Sequence, residues 1–348
     1  MMHTNKPLLT ISIPTYNRAS YLRRSLEQLW NEIQIIGQDE IEIIVSNNAS
    51  VDETTNVVGE WTLKGLKIKY LNNEENVGGD TNIALCFDHA DGDYVLILGD
   101  DDLFVDGGLV HLMNHLRGAN FGVVCMRPYG YNVDFRSEYP GKQGTDVVYD
   151  SQVNFLNSIG QYITLISSVV INKKILNDLK ATSMLGVKLR LIQVELVINA
   201  IIRSNYNLYL NRYLIACKRN NTGGYDFFEI FVKNLSIILD GYTRYGLLQG
   251  SIRALETKML LTHFPLYIYR LLNSNNNKSI LNTFETLNAR FNYSYIFIFL
   301  IKPAFKLPRF LAKIEILTLI FIGRIIGGDF WRGFWFLINM VKNIFKLK

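Results

Sequence analysis

Only three cysteines occur in 348 residues: Cys86, Cys125 and Cys217, far apart and in no metal-ligand spacing. That spacing argues against a disulfide framework and a thiolate zinc site, and the expected setting is a reduced cytoplasm. No Gly-x-Gly-x-x-Gly and no Gly-x-x-x-x-Gly-Lys is present, so dinucleotide binding and P-loop phosphate transfer lose their usual carriers. Met1 to Pro7 holds no apolar stretch ahead of the first strand pattern, so no secretory leader is expected. The sequons at 48–50 and 292–294 then read as accidental. Uninterrupted apolar runs of about 20 residues, which spanning a bilayer requires, are missing. So are internal repeats and low-complexity stretches, the polar loop Asn273 to Lys278 apart.

What is there is an ordinary globular composition with an apolar lean, 49% hydrophobic and 19% charged, long enough for two unequal domains. The formal charge of +5 is unevenly spread. Residues 302–348 carry nine basic side chains against Glu315 and Asp329, a net +7 that leaves −2 for the rest. Such asymmetry points to an anionic surface partner for the tail and away from a uniformly basic nucleic-acid binder.

Leu8 to Ile13 reads as a buried strand stopped by Pro14, and Leu22, Leu26 and Leu29 then recur at helical spacing. The cycle repeats with a strand at Ile41 to Val45 and a helix from near Asp52 presenting Val57, Val58 and Trp61. A short strand at Leu66 to Leu71, a helix from Asp80 to His89 and a strand at Tyr94 to Leu98 follow. Alternation of this kind predicts parallel strands covered by helices. Farther on, a helix with Leu109, Leu112 and Leu116, a strand at Gly122 to Met126 and a turn-rich polar stretch at Arg127 to Tyr149 are expected. A strand at Thr164 to Ile171, a helix at Leu189 to Ile202 and a strand at Leu208 to Ile215 come next. Helical patterns take over after about residue 225.

Asp100, Asp101 and Asp102 stand after the apolar run and Gly99, at a strand's carboxyl edge, where ligands of open α/β sheets bind. Three acids together want a cation. Mg²⁺ or Mn²⁺ takes such oxygen ligands and commonly arrives with substrate phosphates; a solvated acidic turn or a helix N-cap is the other reading. Three more loops sit at strand ends: Pro14 to Arg18, Ser46 to Ser50 with Asp52, and Asn76 to Asn82. In a parallel sheet the four converge on one crevice.

Together these loops resemble family 2 glycosyltransferases. The motifs are Ile-Pro-Thr-Tyr-Asn at 13–17, Ser-Asn-Asn-Ala-Ser-Val-Asp-Glu-Thr at 46–54, Asn-Val-Gly-Gly at 76–79 and Gly-Asp-Tyr-Val-Leu-Ile-Leu-Gly-Asp-Asp-Asp at 92–102. Any one is weak; four in order are specific. Within the family the chain is similar to bacterial surface-polysaccharide enzymes, and Ile-Ser-Ser-Val-Val at 166–170 with Lys173-Lys174 resembles the abequosyltransferase-like branch.

The resemblance implies an inverting enzyme of the GT-A fold, an α/β architecture with a mostly parallel sheet flanked by helices, here with a C-terminal helical extension. The expected division is a GT-A domain at 1–224, with a nucleotide-sugar half at 1–126 and an acceptor half at 127–224, followed by a helical region at 225–348. The family's Asp-x-Asp pattern falls on Gly99 and Asp101, an imperfect match. It implies Asp101 as metal ligand, Asp100 as a ribose or water-mediated metal ligand, and Asp102 as the residue that orients the catalytic site. Pro14, Thr15, Tyr16, Asn17 and Arg18 belong to the nucleotide-sugar set, with Thr15 and Tyr16 meeting the base. Asn47 stands where relatives often place an aspartate against a pyrimidine, and its amide leaves the base open. Asn76, Gly78 and Asp80 complete that side; a tight turn and a helix N-cap are their plainer roles. The general base that inversion needs is an acid of the second half. Glu195 is the candidate, a solvated helix residue the alternative. Arg219, in Lys218-Arg219-Asn220, is placed to close over the diphosphate or to form a surface turn.

His111 and His115 are spaced i, i+4, a zinc-compatible spacing, but lack the metalloprotease glutamate and read as a surface helix. Tyr129, Tyr131, Tyr139 and Tyr149 stack on sugars or pack a loop. Ile296 to Ile301, Ile314 to Ile326 and Phe330 to Val341, with cations between them, describe either helices lying in a membrane interface or a helical core. The partners implied are a nucleotide-diphosphate sugar, a polyprenyl-diphosphate-linked glycan acceptor and an anionic membrane, at the inner face of the cytoplasmic membrane. A sugar nucleotidyltransferase, or a catalytically silent nucleotide-sugar-binding or assembly protein, is the alternative.

Overall fold

The structure, a computed structural model, describes residues 6–118, 120–141, 143–185, 189–219, 226–274 and 276–327, with 334 and 338. The first half alternates as its hydrophobic periods predict: β1 (Leu9–Thr15), α1 (Ala19–Ile36), β2 (Ile41–Asn47), α2 (Thr54–Leu63), β3 (Ile68–Asn72), α3 (Gly79–Asp88) and β4 (Tyr94–Ile97). The middle comprises β5 (Leu103–Phe104), α4 (Gly108–Leu116), β6 (Val123–Tyr131), β7 (Val147–Tyr149), α5 (Gln152–Ile159), β8 (Val169–Asn172), α6 (Ile192–Ile202) and β9 (Asn207–Lys218).

Their nine strands form one sheet in the order β3-β2-β1-β4-β8-β6-β9-β5, with β7 added on β9. The pairs β3-β2, β2-β1 and β1-β4 are parallel. Strand β8 runs antiparallel between β4 and β6, and β6 and β9 are parallel to each other. Because β1 lies between β2 and β4, the chain order reverses there, which opens a crevice at the strands' carboxyl ends.

The strands' period of two is visible in what each face meets. Leu9, Ile11 and Ile13 enter one core with Leu22, Leu26, Leu29 and Ile33 of α1, Val57, Val58 and Trp61 of α2, and Leu109, Leu112 and Leu116 of α4. Ser12, on the opposite face, donates to the Cys86 carbonyl of α3. The buried Glu32 of α1 accepts the N–H groups of Gly107 and Leu109, capping α4 from a neighbouring helix.

Several expectations are corrected. Pro14 does not stop the first strand; it pairs with Ser46 and the strand runs on to Thr15. The expected strand at Thr164 to Ile171 is two 3₁₀ turns followed by the four residues of β8. The stretch at Arg127 to Tyr149 is less turn-like than expected, since β6 continues to Tyr131 past register shifts at Met126, Arg127 and Pro128. Tyr129 and Tyr131 are buried; Tyr129 packs edge-on against Tyr139 and Tyr213, and Tyr131 against Phe135.

Compactness divides the chain into two units. The first comprises residues 1–155, 162–224 and 244–247 and holds the sheet; the second comprises 156–161, 225–243 and 248–348. In the second, α7 (Leu235–Tyr242), α8 (Gln249–Thr262), α9 (Phe264–Asn273), α10 (Asn277–Phe291) and α11 (Arg309–Ile326) form a helical assembly. Helix α11 packs on α8 and α9, with Gly323 so close that a Cβ would stand 2.2 Å from the Leu261 carbonyl oxygen. Arg290 of α10 joins Asp240 of α7 and the buried Glu256 of α8. No helix among the described residues is long and apolar enough to cross a membrane. Most of the segment Phe330 to Val341 lies outside the described residues.

Candidate active site

The crevice is built where β1, β2, β3 and β4 end. Thr15, the last residue of β1, is buried and donates from Oγ1 to Asp100 Oδ2 at 2.8 Å. Arg18, just before α1, reaches Asp100 Oδ1 at 2.7 Å and Asp101 Oδ2 at 3.3 Å, so one guanidinium spans two of the three acids. Burial holds the Asp100 carboxyl up at about 6, opposed by Arg18 and Thr15. Asp102 turns the other way. Its carboxylate accepts Ser167 Oγ at 2.5 Å and the Lys218 N–H at 3.1 Å, deep in the protein. Burial, aided by the charge of Asp101, pushes it up to about 7. Asp102 thus ties the end of β4 to β9 and the turn before β8.

Gly99 occupies the position of the family pattern's first acid. A Cβ there would lie 3.2 Å from Asp102 Oδ2 and 3.3 Å from Asp101 Oδ1 and Ser167 Oγ, closer than the loop easily accepts.

The other loops are stitched to each other by amides. Asn47 donates to Tyr70 Oη and Asn72 Oδ1 and accepts the Ser50 N–H. Both its hydrogens are thereby engaged in holding β2, β3 and the following turn together. Asn48 and Asn82, together with Asn73, carry most of the remaining network and were not singled out from the sequence. Asn48 donates to Asn76 Oδ1 and accepts from Asn73 and the Val77 N–H. Asn82 donates to the Ser46 carbonyl and accepts from Ser46 Oγ and Asn73. The signal available was the asparagine density at strand ends, where an amide can both donate and accept. Asn17 accepts the Val51 N–H and donates its own N–H to Ser50 Oγ. Asp52 accepts the Ala19 N–H at the start of α1.

Three non-glycine residues among those described have positive φ, Asn17 (53°), Ala49 (60°) and Arg190 (58°), and all lie in or beside these loops. Backbone strain of that kind persists where the surroundings over-determine it. Gly78 (φ 87°) makes the turn before α3. Asp80 is not an N-cap: it is the second residue of α3, and its carboxylate accepts the Arg190 N–H, while burial raises its pKa. That bond fastens the segment entering α6 to the start of α3. Glu195 stands in the first turn of α6, half-buried, on a helix that packs against α3 and β8.

Tyr16 is left open to the crevice mouth, 43% exposed. Arg219 is also exposed; its N–H donates to the Tyr131 carbonyl, while Tyr131 Oη donates to the Asp101 carbonyl at 3.3 Å. Asn220 falls outside the described residues. The structure thus joins Thr15, Arg18, Asp100 and Asp101 directly, and Asn17, Asn47 and Asn76 through adjoining loops. Glu195 and Arg219 are placed by their elements.

Residues 10–178 match the family model described as glycosyl transferase family 2. Over 179 residues the chain is 30% identical to the abequosyltransferase RfbV of Salmonella typhimurium, covering 48% of this chain and 53% of that protein. Over 108 residues it is 34% identical to the GalNAc(5)-diNAcBac-PP-undecaprenol beta-1,3-glucosyltransferase of Campylobacter jejuni, covering 31% and 34%. The chain thus spans about half the length, or less, of these curated relatives. Among solved structures, S. aureus TarS 1-349 in complex with UDP-GlcNAc superposes with a TM-score of 0.57 at 15% identity, over 93% of this chain and 92% of that one. A mannosyltransferase from Pyrobaculum calidifontis in complex with GDP-Man and Mn²⁺ gives 0.51 at 16%, over 90% and 88%. At such identities these likenesses show the fold, which is GT-A.

Proposed function

Residues 10–178 belong to glycosyl transferase family 2, and from that premise we propose that the chain moves a sugar, with inversion, from a nucleotide-diphosphate donor to a lipid-linked glycan during bacterial surface-polysaccharide synthesis. The observation that carries this reading is the joining of Thr15, Arg18, Asp100 and Asp101 at the sheet's switch point. The nucleotide sugars bound in the structural neighbours and the undecaprenol-linked relative support the donor and acceptor classes.

In this reading the open ring of Tyr16 stacks on the base while Thr15, Asn17 and the amide-stitched turns around Asn47, Asn76 and Gly78 shape its pocket. Asp80 holds the α6 entry against that pocket. Arg219 and Arg18 supply positive charge to the diphosphate. Asp100 and Asp101 offer only oxygen donors, which suits a hard divalent ion, and Arg18 already sets one positive charge against both. Mg²⁺ or Mn²⁺ held there would neutralise charge on the leaving diphosphate. Asp102 keeps the loop in place from behind, and Glu195 takes the acceptor hydroxyl's proton.

Residues 1–224 form the transferase part of this proposal and 225–348 a membrane-associating part at the inner face of the cytoplasmic membrane. Helix α11 supports the latter. Besides its buried stripe, it exposes Phe310, Leu311, Ile314, Ile322, Ile325 and Ile326 on its outer side, with Arg309, Lys313 and Arg324 among them. A panel of nucleotide sugars with Mn²⁺ and a polyprenyl-diphosphate-linked acceptor tests the whole reading. Transfer with the anomeric configuration inverted is expected from one donor. Nucleotide binding without any turnover would leave a silent binding protein instead.

A further inference from the structure

We propose that His111, His115 and Asp146 form a second, separate metal site, of the zinc type, which clips α4 to the segment leading into β7. Spacing of i, i+4 stacks the two imidazoles on one face of α4, their ring centroids 4.5 Å apart. The third group comes from 31 residues away in sequence. Asp146 Oδ2 lies 2.9 Å from His111 Nε2 and 3.6 Å from His115 Nε2, and among the described residues this is the group of three histidine, cysteine or acidic side chains whose ligand atoms lie within 4.8 Å of one another.

The hydrogen-bond pattern leaves room for an ion between them. His115 Nδ1 lies 2.9 Å from the His111 carbonyl oxygen, an acceptor, so that nitrogen carries the hydrogen and the lone pair of Nε2 faces Asp146. A lone pair aimed at a carboxylate oxygen is repulsive unless a cation or a proton stands between. The Asp146 carboxylate is also under-used: Oδ1 is buried without a hydrogen-bond partner, and Arg212 Nε, 3.6 Å from Oδ2, is in the same state. Arg212 is held elsewhere by Gln143 Oε1. Its charge lies beside the carboxylate and opposes a second cation, so the imidazoles must supply the affinity.

Two imidazoles and one carboxylate suit Zn²⁺, with water completing a tetrahedron, better than Mg²⁺ or Mn²⁺, which prefer oxygen. The site is also distinct from the donor crevice. Asp146 immediately precedes Val147, which pairs with Tyr209 near the start of β9, whereas Lys218 at its other end bonds Asp102. From Arg212 to Lys218 the strand spans on the order of 20 Å. Its effect is structural, fastening the connection between β6 and β7, which carries Tyr139 and Gln143.

The test uses the full-length protein, stripped of metal by chelation and titrated with Zn²⁺ by calorimetry and with Co²⁺ by visible absorption. One equivalent of Zn²⁺ should bind and raise the melting temperature, and Co²⁺ should give the intense bands of a four-coordinate site. His115→Gln, on a half-exposed helix position, and Asp146→Asn should each weaken Zn²⁺ at least tenfold while Asp101→Ala does not. Circular dichroism identifies any variant that fails to fold, and the wild-type titration stands without them. No stoichiometric Zn²⁺ binding and no such Co²⁺ spectrum in the wild type would overturn the site, as would full Zn²⁺ binding by folded His115→Gln and Asp146→Asn proteins.

Discussion

Ser167→Ala removes one hydroxyl that serves a buried carboxylate and a partly buried backbone N–H. Ser167 Oγ donates to Asp102 Oδ2 at 2.5 Å and accepts the Gly99 N–H at 2.9 Å, in a fully buried position. Leaving a buried polar group unpaired costs about 1–3 kcal/mol, so the loss should be on the order of 3 kcal/mol. For a unit of roughly 200 residues that is a fall in melting temperature of about 6–12 °C. The pH dependence of the same cluster sharpens the test. Asp102 is raised to about 7 in the folded protein by burial first and Asp101 second, so the folded state holds a proton that the unfolded chain has released above about pH 4. That contribution is fully present below pH 4 and is lost as pH rises through about 7, a few kcal/mol in all. The assay is urea unfolding in metal-free buffer from pH 4 to 8, with Asp102→Asn, whose amide imitates the protonated carboxyl, as reference. The wild-type stability should fall relative to Asp102→Asn across this range. A Ser167→Ala protein within about 0.5 kcal/mol of wild type, or a wild type that gains on Asp102→Asn as pH rises, would refute the account of this loop.

Asn48→Ala should cut three loop-to-loop bonds, and nucleoside-diphosphate affinity measured by calorimetry should drop by about tenfold or more, at roughly 1 kcal/mol per lost bond. Glu195→Gln should lower kcat by about 10²–10⁴ with donor affinity unchanged, as expected for loss of a general base; an unchanged kcat removes Glu195 from the mechanism. The double change Phe310→Asp and Ile314→Asp, at exposed positions of α11, should reduce flotation with anionic vesicles by at least tenfold and leave the circular dichroism intact.

The strand-end loops were legible because their signals are local: each strand ends in its own motif, and parallel topology alone brings the four ends together. Ser167 shows the limit. Its bond to Asp102 spans 65 positions, and the apolar run around it looked like one strand because Ile166 and Val169 to Ile171 are all β-branched, whereas the chain turns at Ile166–Ser168 before β8 begins. Strand β6 outruns its expected end at Met126 because Pro128 is tolerated where the register with β9 shifts. Asp146 could not be assigned to His111 and His115 from spacing, since what joins them is the pairing of β7 with β9 and the packing of α4 on that strand.

In the proposed reading Asp100 and Asp101 hold a nucleotide diphosphate through a divalent ion. Calorimetric titration of UDP, GDP, CDP and dTDP, each with and without Mn²⁺, into wild type and Asp101→Ala tests it most directly. One nucleotide should bind at least tenfold more tightly with Mn²⁺, and Asp101→Ala should lose that gain. Absence of binding by all four, or an affinity that Mn²⁺ and Asp101→Ala leave untouched, would contradict the account.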